Sequence, residues 1–188
     1  KGKSVCSYGN ASATSFFPAK PLGCYGDGGA IFTDDDQLAE KISSLRVHGK
    51  GKDKYDNVRL GINGRLDTIQ AAVLLVKLGI LDDEIEKRQV LAGRYQEALA
   101  DDYDLPLFFD NRSSALAQYT LMVKGNLSRD KLVEAMKAAG IPIMVYYPKP
   151  MHMQTAFQDL SYQPEDLPVS LDLSKRVFSI PIHPYLTE

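Results

Sequence analysis

The chain has 188 residues, 44% hydrophobic and 24% charged, the composition of a globular protein and not of a disordered one. Lys and Arg total 22 against 24 Asp and Glu, a formal net charge of -2, so the basic surplus of a nucleic-acid binder is missing and nucleic acid is not an expected partner. No apolar run approaches the ~20 residues that span a bilayer. Two cysteines, Cys6 and Cys24, make neither a disulfide framework nor a C-x-x-C site; the expectation is a cytoplasmic protein with reduced thiols, no membrane partner and no metal site.

The length fits one domain, or slightly more. The chain opens Lys1-Gly2-Lys3 without methionine, and residues 1–17 read like the middle of a domain, so a piece of a longer protein is expected. Residues 11–17 (ASATSFF) read as a strand ending at Pro18, and the Gly- and Pro-dense PAKPLGCYGDGG as a loop. Residues 30–33 (AIFT) read as a short strand. Residues 33–36 (TDDD) then supply caps for a helix carrying Leu38, Ile42 and Leu45, which fades near His48-Gly49. Residues 49–64 are polar, basic and Gly-rich, a long surface loop from which no core can be built. From Leu66 a helical face runs through Ile69, Gln70, Val73, Leu74 and Lys77, and the patterning continues to about residue 99, as one helix or as two broken near Gly79. Residues 101–106 look like a linker. A strand is expected over 117–123, a helix over 128–139 capped by Ser128 and stopped by Gly140, and a strand over 141–147 interrupted by Pro142. A last helix begins at Leu167-Pro168, with Leu171, Leu173, Val177 and Phe178, and a short extended SIPIHPYL closes the chain. The layout is α/β, followed by a smaller α+β unit.

Lys20 stands out among the candidate chemical groups. It follows a strand in a Gly/Pro-rich loop, where Phe16, Phe17, Pro18, Leu22 and Tyr25 could desolvate its amine and favour a neutral nucleophile for Schiff-base chemistry. Ser12, Thr14 and Ser15 beside it could hold a phosphate, and Gly26, Gly28 and Gly29 could form an anion-binding nest. The same residues also fit a solvated lysine, ordinary strand hydroxyls and a tight turn, and composition does not decide between these readings.

Three blocks in order resemble the DegT/DnrJ/EryC1/StrS family of pyridoxal-phosphate-dependent nucleotide-sugar aminotransferases. The first is Ser15-Phe16, Lys20 and Gly26-Asp27-Gly28-Gly29. The second is Gly61, Asn63, Arg65, Leu66, Gln70, Ala71 and Ala72. The third is YYPKPMHMQ with the closing LPV and SIPIHPYL. The resemblance covers essentially the whole chain. Around Lys20 the wording is most similar to members acting on UDP-2-acetamido-3-keto-hexuronates.

The resemblance implies the C-terminal part of a type I pyridoxal-phosphate fold, with residues 1–104 completing the large cofactor-binding domain and 105–188 forming a small α+β domain. It implies that Lys20 carries pyridoxal 5'-phosphate as a Schiff base and serves as the base of the 1,3-proton shift. Ser15 would bind the cofactor phosphate, and Asn63 would reach the same phosphate from the neighbouring subunit of a homodimer. Arg46, His48, Tyr55, Arg59, Tyr146 and His183 become candidates for contact with the nucleotide-sugar, each also readable as loop polarity, a core tyrosine or a satisfied histidine. The amino donor implied is glutamate, and the pathway that of a surface polysaccharide such as O-antigen, or of a glycan. The family's acidic partner for the pyridine nitrogen and its stacking aromatic ring belong to an N-terminal half not contained in these residues. The alternative is therefore a non-catalytic fragment or dimerisation unit. A dehydratase of the same family would have lost the lysine, typically to histidine, and Lys20 is intact.

Overall fold

The computed structural model describes residues 2–187, which divide into two compact units at the boundary between Asp82 and Asp83. In the first unit, β1 (Ser12–Ser15) and β2 (Gly29–Phe32) form an antiparallel pair, Ser12 opposite Phe32 and Ser15 opposite Gly29. They are joined by the long loop that carries Lys20. Helix α1 (Asp36–Leu45) starts where the acidic run predicts: the Asp35 carboxylate accepts the Leu38 amide at 3.0 Å, satisfying one of the donors orphaned at a helix start. Residues 46–67 form an irregular excursion that returns to α2 (Thr68–Leu78).

The two-helix alternative is the one realised. α2 ends at Gly79, where the Gly79 and Ile80 amides make tightened bonds to Val76 and Lys77 carbonyls (both 3.2 Å), and α3 (Leu81–Leu99) follows.

The second unit is built on an antiparallel sheet in the order β3 (Tyr103–Asp104), β4 (Tyr119–Val123), β5 (Val177–Ile180). β4 alternates buried and half-buried residues, placing Tyr119, Leu121 and Val123 in the core, the period-2 signature of a strand with one covered face. α3, through Ala92 and Tyr95, and α4 (Arg129–Ala138), through Val133 and Met136, pack on that cluster, which also contains Ile143, Phe178, Ile180 and Ile182. Aromatic pairs lock it: Tyr95 against Tyr119 at 5.1 Å, and Tyr103 edge-on to Phe178 at 5.4 Å between ring centres. Three short 3-10 turns (Met151–Met153, Thr155–Leu160, Pro164–Asp166) lead to α5 (Pro168–Arg176).

Three expectations are corrected. The stretch expected as a linker over 101–106 contributes β3, whose two residues pair with Val123 and Met122. No strand forms over 141–147. Pro142 lacks a ladder donor, and only Met144 pairs, exchanging two backbone bonds with Ser179 (3.1 and 2.7 Å). Val177 and Phe178 belong to β5 and not to the last helix. The buried guanidinium of Arg129 takes the Ser174 and Val177 carbonyls at 3.2 and 2.9 Å and ends α5 there, so that a β-branched residue opens the strand.

The first unit is packed differently. Among the described residues its buried hydrophobic side chains are Cys24 and Leu74, while Ile31, Phe32, Ile69, Leu75, Val76 and Leu78 are exposed. No described helix is long and apolar enough to cross a membrane.

Candidate cofactor and substrate site

Lys20 sits at the tip of a loop tied tightly to its own stem. The Phe16 amide donates to the Gly28 carbonyl, the Cys24 amide to Phe16, and the Lys20 amide to Phe17, each at 2.8 Å. A Cβ on Gly23 would lie 2.7 Å from both the Phe17 and Pro18 carbonyl oxygens, so only glycine lets the chain fold back this closely. The buried Cys24 thiol faces the Phe16 and Gly26 carbonyls at 3.1 and 3.0 Å and fills the inside of the turn. This architecture turns Lys20 outward. Its side chain is exposed, and so are Phe17, Pro18 and Tyr25, so the expected apolar shell does not enclose the amine within this chain. Ser15 ends β1 beside the loop. Its Oγ accepts the Phe17 amide at 3.1 Å, which leaves the hydroxyl proton to be donated elsewhere.

The second sequence block is physically coupled to the first. Gln70 Oε1 accepts the Tyr25 amide at 2.7 Å, and Cβ atoms on Gly26 and Gly28 would come within 3.2 Å of Gln70 Nε2 and 2.9 Å of Leu66 Cδ1. The glycines of the G-D-G-G turn thus admit the start of α2, which in turn pins the Lys20 loop. Gln70 and Cys24 were not singled out as functional from sequence. The only signal was the place of Gln70 in the second of the three blocks, and it does not reveal a contact across 45 residues.

The 46–67 excursion holds five candidates and is a built structure. His48 (φ 61°) and Gly49 (φ 73°) reverse the chain in the left-handed region. The two strands of the excursion are then stitched by His48 N to Ile62 O (2.9 Å), Ile62 N to Leu45 O (2.9 Å), Gly64 N to Arg46 O (2.8 Å) and Arg59 N to Gly49 O (3.2 Å). The Ser44 hydroxyl donates to the Lys50 carbonyl at 2.7 Å and accepts from the Arg59 guanidinium at 3.1 Å. Arg59 therefore faces an open groove of about 470 Å³ with Ser43, Ser44, Lys50 and Lys52. Tyr55 is exposed at the tip, with the Lys54 ammonium 5.2 Å over its ring. Asn63 Oδ1 accepts from Arg65 Nε at 2.8 Å, which orients the carboxamide Nδ2 as a donor. Arg46 and His48 are exposed on the same excursion.

Tyr146 and His183 lie in the second unit. Tyr146 is half-buried, joined to Tyr147 by a cis peptide bond, the two rings edge-on at 5.6 Å. His183 is exposed, its Nδ1 facing the Tyr185 amide at 3.3 Å. The structure thus brings Ser15 and Lys20 together at one strand end and gathers Arg46, His48, Tyr55, Arg59 and Asn63 on one excursion.

The exposed Lys20 and the hydroxyl of Ser15 thus lie near one end of β1, in an α/β arrangement. The chain belongs to the DegT/DnrJ/EryC1/StrS aminotransferase family, whose pattern matches residues 1–188. It is similar to the UDP-2-acetamido-2-deoxy-3-oxo-D-glucuronate aminotransferase of Pseudomonas aeruginosa, with 44% identity over 99% of this chain and 50% of the relative. Among solved structures it resembles a DegT DnrJ EryC1 StrS aminotransferase from Brucella abortus (54% identity, TM-score 0.89, 96% of this chain and 48% of the other). It also resembles S. venezuelae DesV in complex with a ketimine intermediate (34% identity, TM-score 0.90, 100% and 50%). The fold is therefore shared with about half of each of these aminotransferase chains. The chain spans about half the length of the curated relatives it matches.

Proposed function

We propose that this chain is the lysine-bearing half of a pyridoxal 5'-phosphate-dependent aminotransferase. The enzyme moves an amino group from glutamate to the keto group of a nucleotide-linked sugar, a UDP-2-acetamido-3-keto-hexuronate, in the cytoplasm, for a surface polysaccharide such as O-antigen or for a glycan. The observation that carries this reading is the outward Lys20 on a loop that Gly23, Cys24 and Gln70 leave little freedom to change. The name of the Pseudomonas aeruginosa relative supports the sugar class.

The donor set fits the cofactor. A phosphorylated aldehyde calls for one amine to bond its carbonyl carbon and uncharged or cationic donors for its phosphate. Lys20 supplies the amine, and the Ser15 hydroxyl and Asn63 carboxamide supply donors whose acceptor sides are already occupied. When bound, pyridoxal phosphate supplies an electron sink through which an amino group passes from donor to acceptor. Lys20 Nζ would hold the cofactor between turnovers and, as a free amine, would take up and return the proton of the shift. The Ser15 hydroxyl would donate to the cofactor phosphate. Asn63 does the same from the partner protomer of a homodimer, on an excursion whose stitched stem holds it in place. Arg46, Arg59, His48 and Tyr55 meet the anionic nucleotide-sugar there, and Tyr146 and His183 are further candidates for contact with it. Residues 1–104 complete the large domain and 105–188 the small one.

The test uses the full-length protein. Its visible spectrum should show the absorbance of a lysine Schiff base, and Lys20→Ala should remove it; a wild type without that absorbance sinks the proposal. Glutamate and the keto-sugar should then yield 2-oxoglutarate. The half-length match favours a second reading for the 188-residue chain by itself, a non-catalytic dimerisation unit. Any turnover by that chain alone refutes it.

A further inference from the structure

Helix α3 buries two opposite charges one turn apart, Glu84 (6% exposed) and Arg88 (7% exposed). Removing a carboxylate and a guanidinium from water costs several kcal/mol per ion unless each finds specific partners. The partners lie in the stretch after β5. The Tyr185 hydroxyl donates to Glu84 Oε1 at 2.6 Å. Arg88 donates through one terminal nitrogen to the Ile182 carbonyl at 3.2 Å and the Leu116 carbonyl at 3.4 Å, while its Nε meets no acceptor among the described residues. Further along the helix, the Tyr95 hydroxyl donates to the Pro181 carbonyl at 2.9 Å.

These bonds land on Pro181, Ile182 and Tyr185, on both sides of His183. Pro181 and Pro184 lie on either side of the same histidine and fix φ at their own positions. A segment with two prolines and three side-chain anchors has few conformations left. The residue at its centre is exposed, and its Nδ1 is engaged by the Tyr185 amide at 3.3 Å. An imidazole that accepts at Nδ1 carries its proton on Nε2 and offers that N–H as a donor.

We propose that Glu84, Arg88 and Tyr185 are positioning residues that clamp residues 181–185 onto α3, so that His183 presents its Nε2–H to an oxygen of the nucleotide-sugar. The proposal rests on the substrate role given to His183 above. None of the three touches the ligand; each acts through the backbone that carries the histidine. The Glu84 carboxylate holds the Tyr185 proton and pushes that hydroxyl above its ordinary pKa, as a strong charge-assisted bond requires.

The experiment uses the full-length, cofactor-loaded protein with UDP-N-acetylglucosamine as the probe. Its first arm reads the clamp without ligand, as amide hydrogen exchange over residues 181–187. Tyr185→Phe should speed exchange by about tenfold, the loss of one hydrogen bond to a charged group, while Glu84→Gln, which keeps an acceptor oxygen and loses only the charge, should speed it by less, about threefold. Unchanged exchange in Tyr185→Phe overturns the proposal.

The second arm is a calorimetric double-mutant cycle. Tyr185→Phe should weaken probe binding about fivefold in the wild type and by less than about twofold in a His183→Ala background. Equal losses in both backgrounds show that Tyr185 does not act through His183, and the proposal falls. A wild type that does not bind the probe overturns the nucleotide-sugar reading and the role of His183 with it. That outcome is distinguishable from clamp failure, because the exchange arm reads the clamp independently.

Discussion

Replacing Gly49 by alanine would place a Cβ 1.8 Å from the Arg59 carbonyl oxygen and 2.6 Å from its carbonyl carbon, at φ +73°. Both obstacles are backbone, so no rotamer change relieves them. The left-handed conformation costs a non-glycine residue about 1 kcal/mol, and the clash forces the two strands of the excursion apart. Separation breaks the Arg59 N to Gly49 O bond and the His48 N to Ile62 O bond above it. At about 1 kcal/mol for each bond lost, the closed excursion should be destabilised by ~3 kcal/mol, about a hundredfold in its opening equilibrium. Hydrogen exchange by mass spectrometry on the full-length protein reads this directly. Amides of residues 47–64 should exchange about a hundredfold faster in Gly49→Ala, while those of β4 and β5 stay unchanged. Because the excursion carries Asn63, cofactor affinity should fall alongside. Wild-type exchange over residues 47–64 in the variant would refute the claim that this close approach holds the excursion together.

Phe178 is fully buried and edge-on to Tyr103, so Phe178→Ala should cost about 3–5 kcal/mol in denaturant unfolding of the second unit; a loss under about 1 kcal/mol would mean the core is not centred there. Burial pushes the Tyr95 hydroxyl above its ordinary pKa. Tyr119 is raised mainly by burial, against a hydrogen bond from Gln96, and Tyr185 mainly by its bond to Glu84. The neutral phenols are the favoured form in the fold, so their contribution is fully present below the ordinary value of 10.0 and is lost as pH rises through the raised folded values. A phenolate absorbance titration should therefore show a late group of tyrosines ionising together with unfolding. Ionisation of all 10 tyrosines in one step near the ordinary value would contradict this.

Helix starts were legible because their chemistry is local: Asp35 and Ser128 cap α1 and α4 with their own side chains. The break near Gly79 was legible as an alternative, and only the competition between continued patterning and a tightened turn decides it. The strand boundaries around 141–147 and 177–180 were not, because they depend on partners far along the chain. Ser179 offers Met144 a place on the sheet, and Arg129 ends α5 from 45 residues away. Lys20, Ser15 and Asn63 were singled out by the blocks that resemble the family. Gln70 stood in the second block, but its bond to the Tyr25 amide was not legible, and Ser44, which holds Lys50 and Arg59, looks in sequence like any surface polar group. The clamp on His183 was invisible for the same reason, since Glu84 and Arg88 read as solvated helix charges until their burial is seen.

The uneven distribution of buried side chains bears on how the chain acquires its structure. The second unit closes a ten-residue apolar cluster from its own sequence, so its residues can reach their native state as one cooperative step. Its contacts join α3 to the stretch beyond β5, some 90 positions away, so that step cannot complete until the last residues are available. The first unit buries little of its own, and its hairpin and helices are held mainly by backbone bonds. Its order is therefore conditional: it acquires lasting protection only when other surface covers Ile31, Phe32, Ile69 and Val76. The lysine loop thus sits on the slower-maturing side of the chain, and competence for chemistry is expected to appear after the sheet of the second unit is already formed.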